Sequence, residues 1–212
     1  MLITYPLKSG LYVNMTNRCS CSCTFCLRNN GKGVYGTDSL WLEREPTVDE
    51  VLASIRAWDL SRFKELVFCG YGEPTMRLYD VLEVARRVKE MRPELLVRIN
   101  TNGLSDLVYG KKTAPLLKGL VDTVSISLNT PDPDEYVRIC RPKFGPGSWE
   151  AMVEFAKDCT ASVPDVVFTV VDEPVTSKEA QERCRAIAAS VGARLRVRPC
   201  ETTTDGPPPP GR

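Results

Sequence analysis

The chain contains no histidine. Serine–histidine and cysteine–histidine catalysis are therefore excluded from its own residues, as is any histidine-ligated metal site. Long apolar runs are missing too: no stretch reaches the ~18 residues of a membrane-spanning helix. Neither sign of charge dominates. The 28 basic and 27 acidic residues leave a net charge of +1, which gives no support to a nucleic-acid or membrane-surface binder. The opening MLITYPLKSGLYV lacks a basic segment followed by an apolar one, so no secretory leader is evident. Free cysteines without a leader predict a reducing, cytoplasmic setting. At 212 residues and 42% hydrophobic content, the chain suits one domain with a substantial core.

Cysteine, by contrast, is plentiful: there are nine. Cys19, Cys23 and Cys26 stand in NRCSCSCTFCLRNN at spacing C-x3-C-x2-C, with Phe25 just before the last. Three thiolates this close on one irregular loop can converge on one metal centre. An iron–sulfur cluster held by only three thiolates keeps one iron open for chemistry. Cys21 intervenes, so four cysteines could instead close a tetrahedral zinc site. Structural zinc sites usually draw C-x2-C pairs from two stretches. Here Cys69, Cys140, Cys159, Cys184 and Cys200 are scattered singly. An odd number of cysteines in a chain this long argues against a disulfide framework. Cys21 reads as a bystander, because a fourth protein thiolate would close the open iron.

Short Val-, Ile- and Leu-rich segments alternate with amphipathic ones. Strands are predicted at Leu11–Met15, Glu65–Cys69, Leu96–Asn100, Val121–Leu128, Val166–Val171 and Arg194–Arg198. Helices are predicted from Val48, with Thr47 and Glu50 as a capping box, and over Leu78–Met91 with the stripe Leu78, Leu82, Ala85 and Val88. Others are expected over Leu104–Leu117, after Asp132-Pro133, around Trp149–Ala156, and after Thr176 with Glu179 as a second capping box. Six strand-then-helix units make a parallel α/β sheet with right-handed crossovers, too few for the eight-stranded barrel. Periodicity leaves an open sheet and a partial barrel as alternatives. Residues 1–200 form the expected domain. Residues 201–212, ETTTDGPPPPGR, are expected to be a disordered tail.

A second motif, FCGYGEPTMRL, follows the second predicted strand. Gly70 and Gly72 allow a sharp turn or close approach of a ligand. Tyr71, Glu73 and Pro74 lie with them where ligands of α/β folds bind. A plain Gly-Pro turn is the alternative. The third predicted strand ends in Asn100-Thr101-Asn102-Gly103. The fourth carries Ser125, Ser127 and Asn129 on one face, a costly arrangement inside a barrel unless they bind something.

Taken with their order, these motifs resemble the radical SAM superfamily. The resemblance implies a six-stranded partial (β/α)6 barrel and a 4Fe–4S cluster on Cys19, Cys23 and Cys26. It also implies S-adenosyl-L-methionine at the open iron. Gly72, Glu73 and Pro74 match the family's Gly-Gly-Glu-Pro turn, which holds the methionine amino group; Tyr71 replaces the first glycine, and Gly70 stands just upstream. The implied cofactor contacts are Phe25, Gly70, Tyr71, Gly72, Glu73, Asn100, Asn102, Ser127 and Asn129, with Thr169 a further candidate. The implied activity is reductive cleavage of the cofactor to a 5′-deoxyadenosyl radical that takes hydrogen from a substrate. An external electron donor such as flavodoxin or ferredoxin is implied as partner.

Within the superfamily, the opening segment, FCGYGEPTMR and YVRICRP are similar to the TatD-associated radical SAM proteins. Glycyl-radical activating enzymes and deazaguanine-type synthases are other small members of the superfamily with which these residues are compatible. A non-enzymatic zinc- or cluster-binding module is the alternative outside the family. Arg194, Arg196 and Arg198 alternate, so they share a strand face. They either guard an edge strand or line the cavity for an anionic small molecule or protein segment. Arg138, Arg141 and Lys143 either add to such a pocket or form a solvated loop, and Cys140 reads as a small buried hydrophobe.

Overall fold

The computed structural model describes residues 1–30 and 39–199. The expected tail lies outside the described residues. One sheet holds seven strands in chain order: β1 (Thr4–Leu7), β2 (Gly10–Val13), β3 (Glu65–Phe68), β4 (Leu96–Thr101), β5 (Thr123–Ser127), β6 (Asp165–Val171) and β7 (Arg194–Arg198). Strands β2 to β7 run parallel. All six were predicted to within two residues at either end. The seventh, β1, is a correction: it pairs antiparallel with β2. Its four residues include Pro6, which masks the strand signal and which a sheet tolerates only at an edge.

Helices α1 (Val48–Arg56), α2 (Leu78–Met91), α3 (Ser105–Tyr109), α4 (Pro133–Cys140), α5 (Ser148–Thr160) and α6 (Lys178–Ser190) fill the connections. Alternation decides which strand residues they cover. Leu11, Val13, Leu66, Phe68, Val97, Ile99, Val124, Ile126, Val166, Phe168 and Val170 face the helices in one buried cluster. Val51, Leu52 and Ile55 of α1 and Val81, Val84, Ala85 and Val88 of α2 pack against them. Each such large side chain contributes about 2 kcal/mol by leaving water. Leu82 lies at the margin of its stripe rather than at its centre.

Local capping bears out part of the sequence reading. Thr47 and Glu50 form the capping box, with Glu50 N donating to Thr47 Oγ1 at 3.2 Å and Thr47 N to Glu50 Oε2 at 2.8 Å. Asp132 caps α4 by accepting from Glu135 N at 2.9 Å. Two expectations need correction. The last helix is capped by Ser177, whose Oγ accepts from Ala180 N at 3.2 Å, and not by Thr176. The predicted Leu104–Leu117 helix stops after one turn at Gly110 and resumes as a 3-10 turn over Ala114–Leu117.

The other sheet face is polar, and the sheet curls around it. Arg98 of β4 donates to Tyr12 Oη of β2 at 3.1 Å and pairs with Glu65 of β3 at 2.9 Å. Arg196 of β7 donates to Ser125 Oγ of β5 at 3.0 Å. Residues after β2 and residues of β7, the two ends of the parallel set, line one cavity. The barrel is partial, because β1 and β7 do not pair. Among the described residues no helix is long and apolar enough to cross a membrane.

Candidate active site

The cavity encloses about 220 Å³ at the carboxyl ends of the parallel strands, the edge at which α/β folds bind ligands. Its wall includes Cys19, Cys21, Cys23 and Phe25 from the loop after β2, and Cys69, Gly70, Gly72 and Glu73 from the turn after β3. Asn100, Thr101 and Asn102 line it from β4, Ser125, Ser127 and Asn129 from β5, and Thr169 from β6. Arg196 and Arg198 line it from β7, and Tyr136 and Cys140 from α4. Most residues singled out in the sequence thus meet in one place. Tyr71 does not line the cavity. It is buried beside Tyr5 and Leu40, with its ring 5.4 Å from that of Trp41. Cys26 is half-buried on the cysteine loop, outside this wall.

The cysteine loop is held from three sides. At its start, Glu73 N donates to Arg18 O at 2.8 Å. Gly72 packs so tightly there that a Cβ would overlap the carbonyl oxygens of Thr16 and Arg18; only glycine permits that approach. From β4, Asn102 Nδ2 donates to Ser20 Oγ at 2.9 Å and approaches Cys21 Sγ at 3.5 Å. From the end of α4, Ser22 N donates to Cys140 O at 3.1 Å and Thr24 N to Ile139 O at 2.9 Å, while Lys143 N reaches Ser20 O at 2.9 Å. Arg138, Arg141 and Lys143 themselves point outward and are exposed or paired on the surface.

Glu73 is 4% exposed and ties two strand ends together. Its Oε1 accepts from Thr75 N at 3.0 Å, Thr75 Oγ1 at 2.7 Å and Thr101 Oγ1 at 2.8 Å; its Oε2 accepts from Asn102 N at 2.6 Å. Burial pushes its carboxyl above the usual range, opposed by those hydrogen bonds. Oε2 keeps a lone pair for a further donor. Asn129, with φ of 64°, donates to Ser127 O and to Cys140 Sγ, both at 3.3 Å.

The sulfurs are graded. Cys19 is held below the ordinary thiol range, first by the hydrogen bond from Cys21. Cys23 is held well below it, first by the thiol of Cys140 and then by that of Cys21. Cys21 and Cys140, as the donors, are pushed up, and burial raises Cys26. The contacts among these four thiols thus lower two of them and raise the other two. Among the described residues no three side chains are already gathered as a metal site. The donor chemistry fits an iron–sulfur cluster: soft thiolates, no histidine, and no disulfide among the described cysteines. The spacing missed Cys140 and Tyr136 because they arrive from α4, far along the chain. Only the YVRICRP segment hinted at them.

A second cavity of about 280 Å³ adjoins the first and shares Phe25 and Asn129 with it. Phe25 is 42% exposed between the two.

Comparison with known proteins agrees with this geometry. Residues 13–205 match the radical SAM superfamily. Over 135 residues, 64% of this chain, it is 32% identical to a GTP 3′,8-cyclase of Limosilactobacillus fermentum, covering 38% of that protein. Over 142 residues, 62% of this chain, it is 30% identical to a probable dual-specificity RNA methyltransferase RlmN of Rhodococcus erythropolis, covering 37% of it. The chain thus spans under two-fifths of the length of these curated relatives. In fold, it is similar to a radical SAM methyltransferase from Sphaerobacter thermophilus, with TM-score 0.58 and 20% identity over 92% of this chain and 56% of that one. It also resembles methylornithine synthase (PylB), with TM-score 0.60 and 14% identity over 90% of this chain and 52% of that one. The chain belongs to the radical SAM superfamily, enzymes that use a 4Fe–4S cluster and S-adenosyl-L-methionine.

Proposed function

We propose that this chain binds the cluster through Cys19, Cys23 and Cys26 and cleaves S-adenosyl-L-methionine reductively against a substrate seated in the same cavity. The observation that carries this reading is the meeting of the cysteine loop and the Glu73 turn on one wall. When bound, the cluster supplies the electron that splits the cofactor's carbon–sulfur bond, giving methionine and a 5′-deoxyadenosyl radical that takes hydrogen from the substrate.

The chain's own residues bind and orient. The free lone pair of Glu73 Oε2 would accept from the methionine amino group. Ser127 and Asn129, which line the cavity, would contact the ribose, and the adjoining cavity beside Phe25 would take the adenine.

An external one-electron donor of flavodoxin or ferredoxin type and a cytoplasmic setting complete the reading. Similarity of the opening segment, FCGYGEPTMR and YVRICRP to the TatD-associated radical SAM proteins is its finer form. Two of the curated relatives act, by name, on GTP or on RNA, which supports a small-molecule or nucleotide-like substrate.

The test is anaerobic reconstitution, reduction with dithionite, and assay for 5′-deoxyadenosine. We expect its formation from S-adenosyl-L-methionine. In Glu73→Gln the cofactor should bind about tenfold more weakly, a loss of about 1.4 kcal/mol, while iron content stays unchanged. Zinc alone, with no 5′-deoxyadenosine, would overturn the reading in favour of a binding module.

A further inference from the structure

The inner face of β7 holds two guanidinium groups without a carboxylate partner among the described residues. The interior and rim carboxylates are already engaged. Glu65 pairs with Arg98 at 2.9 Å, Asp165 with Arg194 at 2.7 Å, and Glu73 with Thr75, Thr101 and Asn102. Arg196 donates Nη2 to Ser125 Oγ, but its Nε and that of Arg198 are buried without a partner. The orphaned Nε of Arg98 and Oδ1 of Asn100 belong to the same polar face. Burial, and then the guanidiniums of Arg98 and Arg198, pull Arg196 below the ordinary arginine range.

An uncompensated buried cation is costly, and the planar donor fork of arginine matches a carboxylate or phosphate. Register places Arg196 beside Thr169 and Arg198 beside Val171 of β6. Thr169 and both arginines line the same cavity as Cys19 and Cys23. Arg194, the third member of the row, is surface-exposed and committed to Asp165.

We propose that Arg196 and Arg198 form an oxyanion subsite that takes a carboxylate or phosphate group of the substrate. This rests on the enzymatic reading above and adds the substrate's charge class. The cofactor also has a carboxylate, but that group shares a carbon with its amino group, assigned to Glu73. Glu73 and the arginines line the same cavity, so the test keeps the cofactor bound throughout.

The experiment titrates the reconstituted protein, saturated with S-adenosyl-L-methionine, with pyrophosphate and separately with succinate. We expect saturable one-to-one binding of at least one probe. It should weaken about tenfold or more in Arg196→Gln and Arg198→Gln, recover in part in Arg196→Lys, and persist in Arg194→Gln. Iron content and cofactor affinity should not change. No saturable binding, or equal weakening in Arg194→Gln, would overturn the proposal. Cofactor affinity falling together with probe affinity would reassign the arginines to the methionine carboxylate and also overturn it. Failure of the enzymatic reading shows separately, as absence of iron or of 5′-deoxyadenosine in the unmodified protein. Should Arg196→Gln fail to fold, Arg198→Gln and Arg196→Lys decide.

Discussion

Replacing any one of Cys19, Cys23 or Cys26 by alanine is expected to abolish the cluster, whereas Cys21→Ala and Cys140→Ala should retain about four irons per chain. Cys21 and Cys140 line the cavity as closely as Cys19 and Cys23 do. A purely geometric choice would make these four the ligands and leave Cys26 out. Spacing argues otherwise: Cys19, Cys23 and Cys26 hold the C-x3-C-x2-C pattern on one loop, whereas Cys140 arrives from α4. Iron and sulfide analysis with the visible absorption of each reconstituted variant decides the matter. Loss of iron in Cys21→Ala or Cys140→Ala, with retention in Cys26→Ala, would overturn the ligand set and favour a closed four-thiolate site.

Gly72→Ala is expected to be among the most damaging single substitutions in the chain, costing about 3 kcal/mol of stability. The added methyl would meet the Thr16 carbonyl oxygen and lie 2.7 Å from that of Arg18. Both are backbone atoms, so no flexible side chain can swing aside. Relief requires the β3 turn to separate from the start of the cysteine loop, breaking the Glu73 N to Arg18 O hydrogen bond. Denaturant unfolding of the metal-free protein measures the cost, and reconstitution measures how much of the loop's geometry survives. A variant with unchanged midpoint and full iron content would show that the turn adjusts more freely than this packing allows.

The sequence made the site's local parts legible and its long-range parts obscure, for a physical reason. Cys19, Cys23 and Cys26 share one loop, and Glu73 sits one turn beyond a strand, so spacing alone could announce them. The inward faces of β5 and β7 were readable because strand alternation fixes which side chains go together. Cys140, Tyr136 and the clamp from Asn102 depend on which helix end folds against which loop, which no local period encodes. Elsewhere local signals were present but near-degenerate. Thr176 and Ser177 offer the same hydroxyl chemistry one residue apart, and burial of Thr176 left the cap to Ser177. At β1 the pattern was too short, and its proline argued against the strand that forms there.

The cysteine loop's anchors are hydrogen bonds to Arg18, Ser20, Ser22 and Thr24 from protein groups alone. Those bonds come from three separate segments, the turn after β3, the end of β4 and the end of α4. A substitution in any of the three should therefore be felt at the cysteines without touching one, so the loop's tolerance to mutation is set by parts of the chain far from it in sequence.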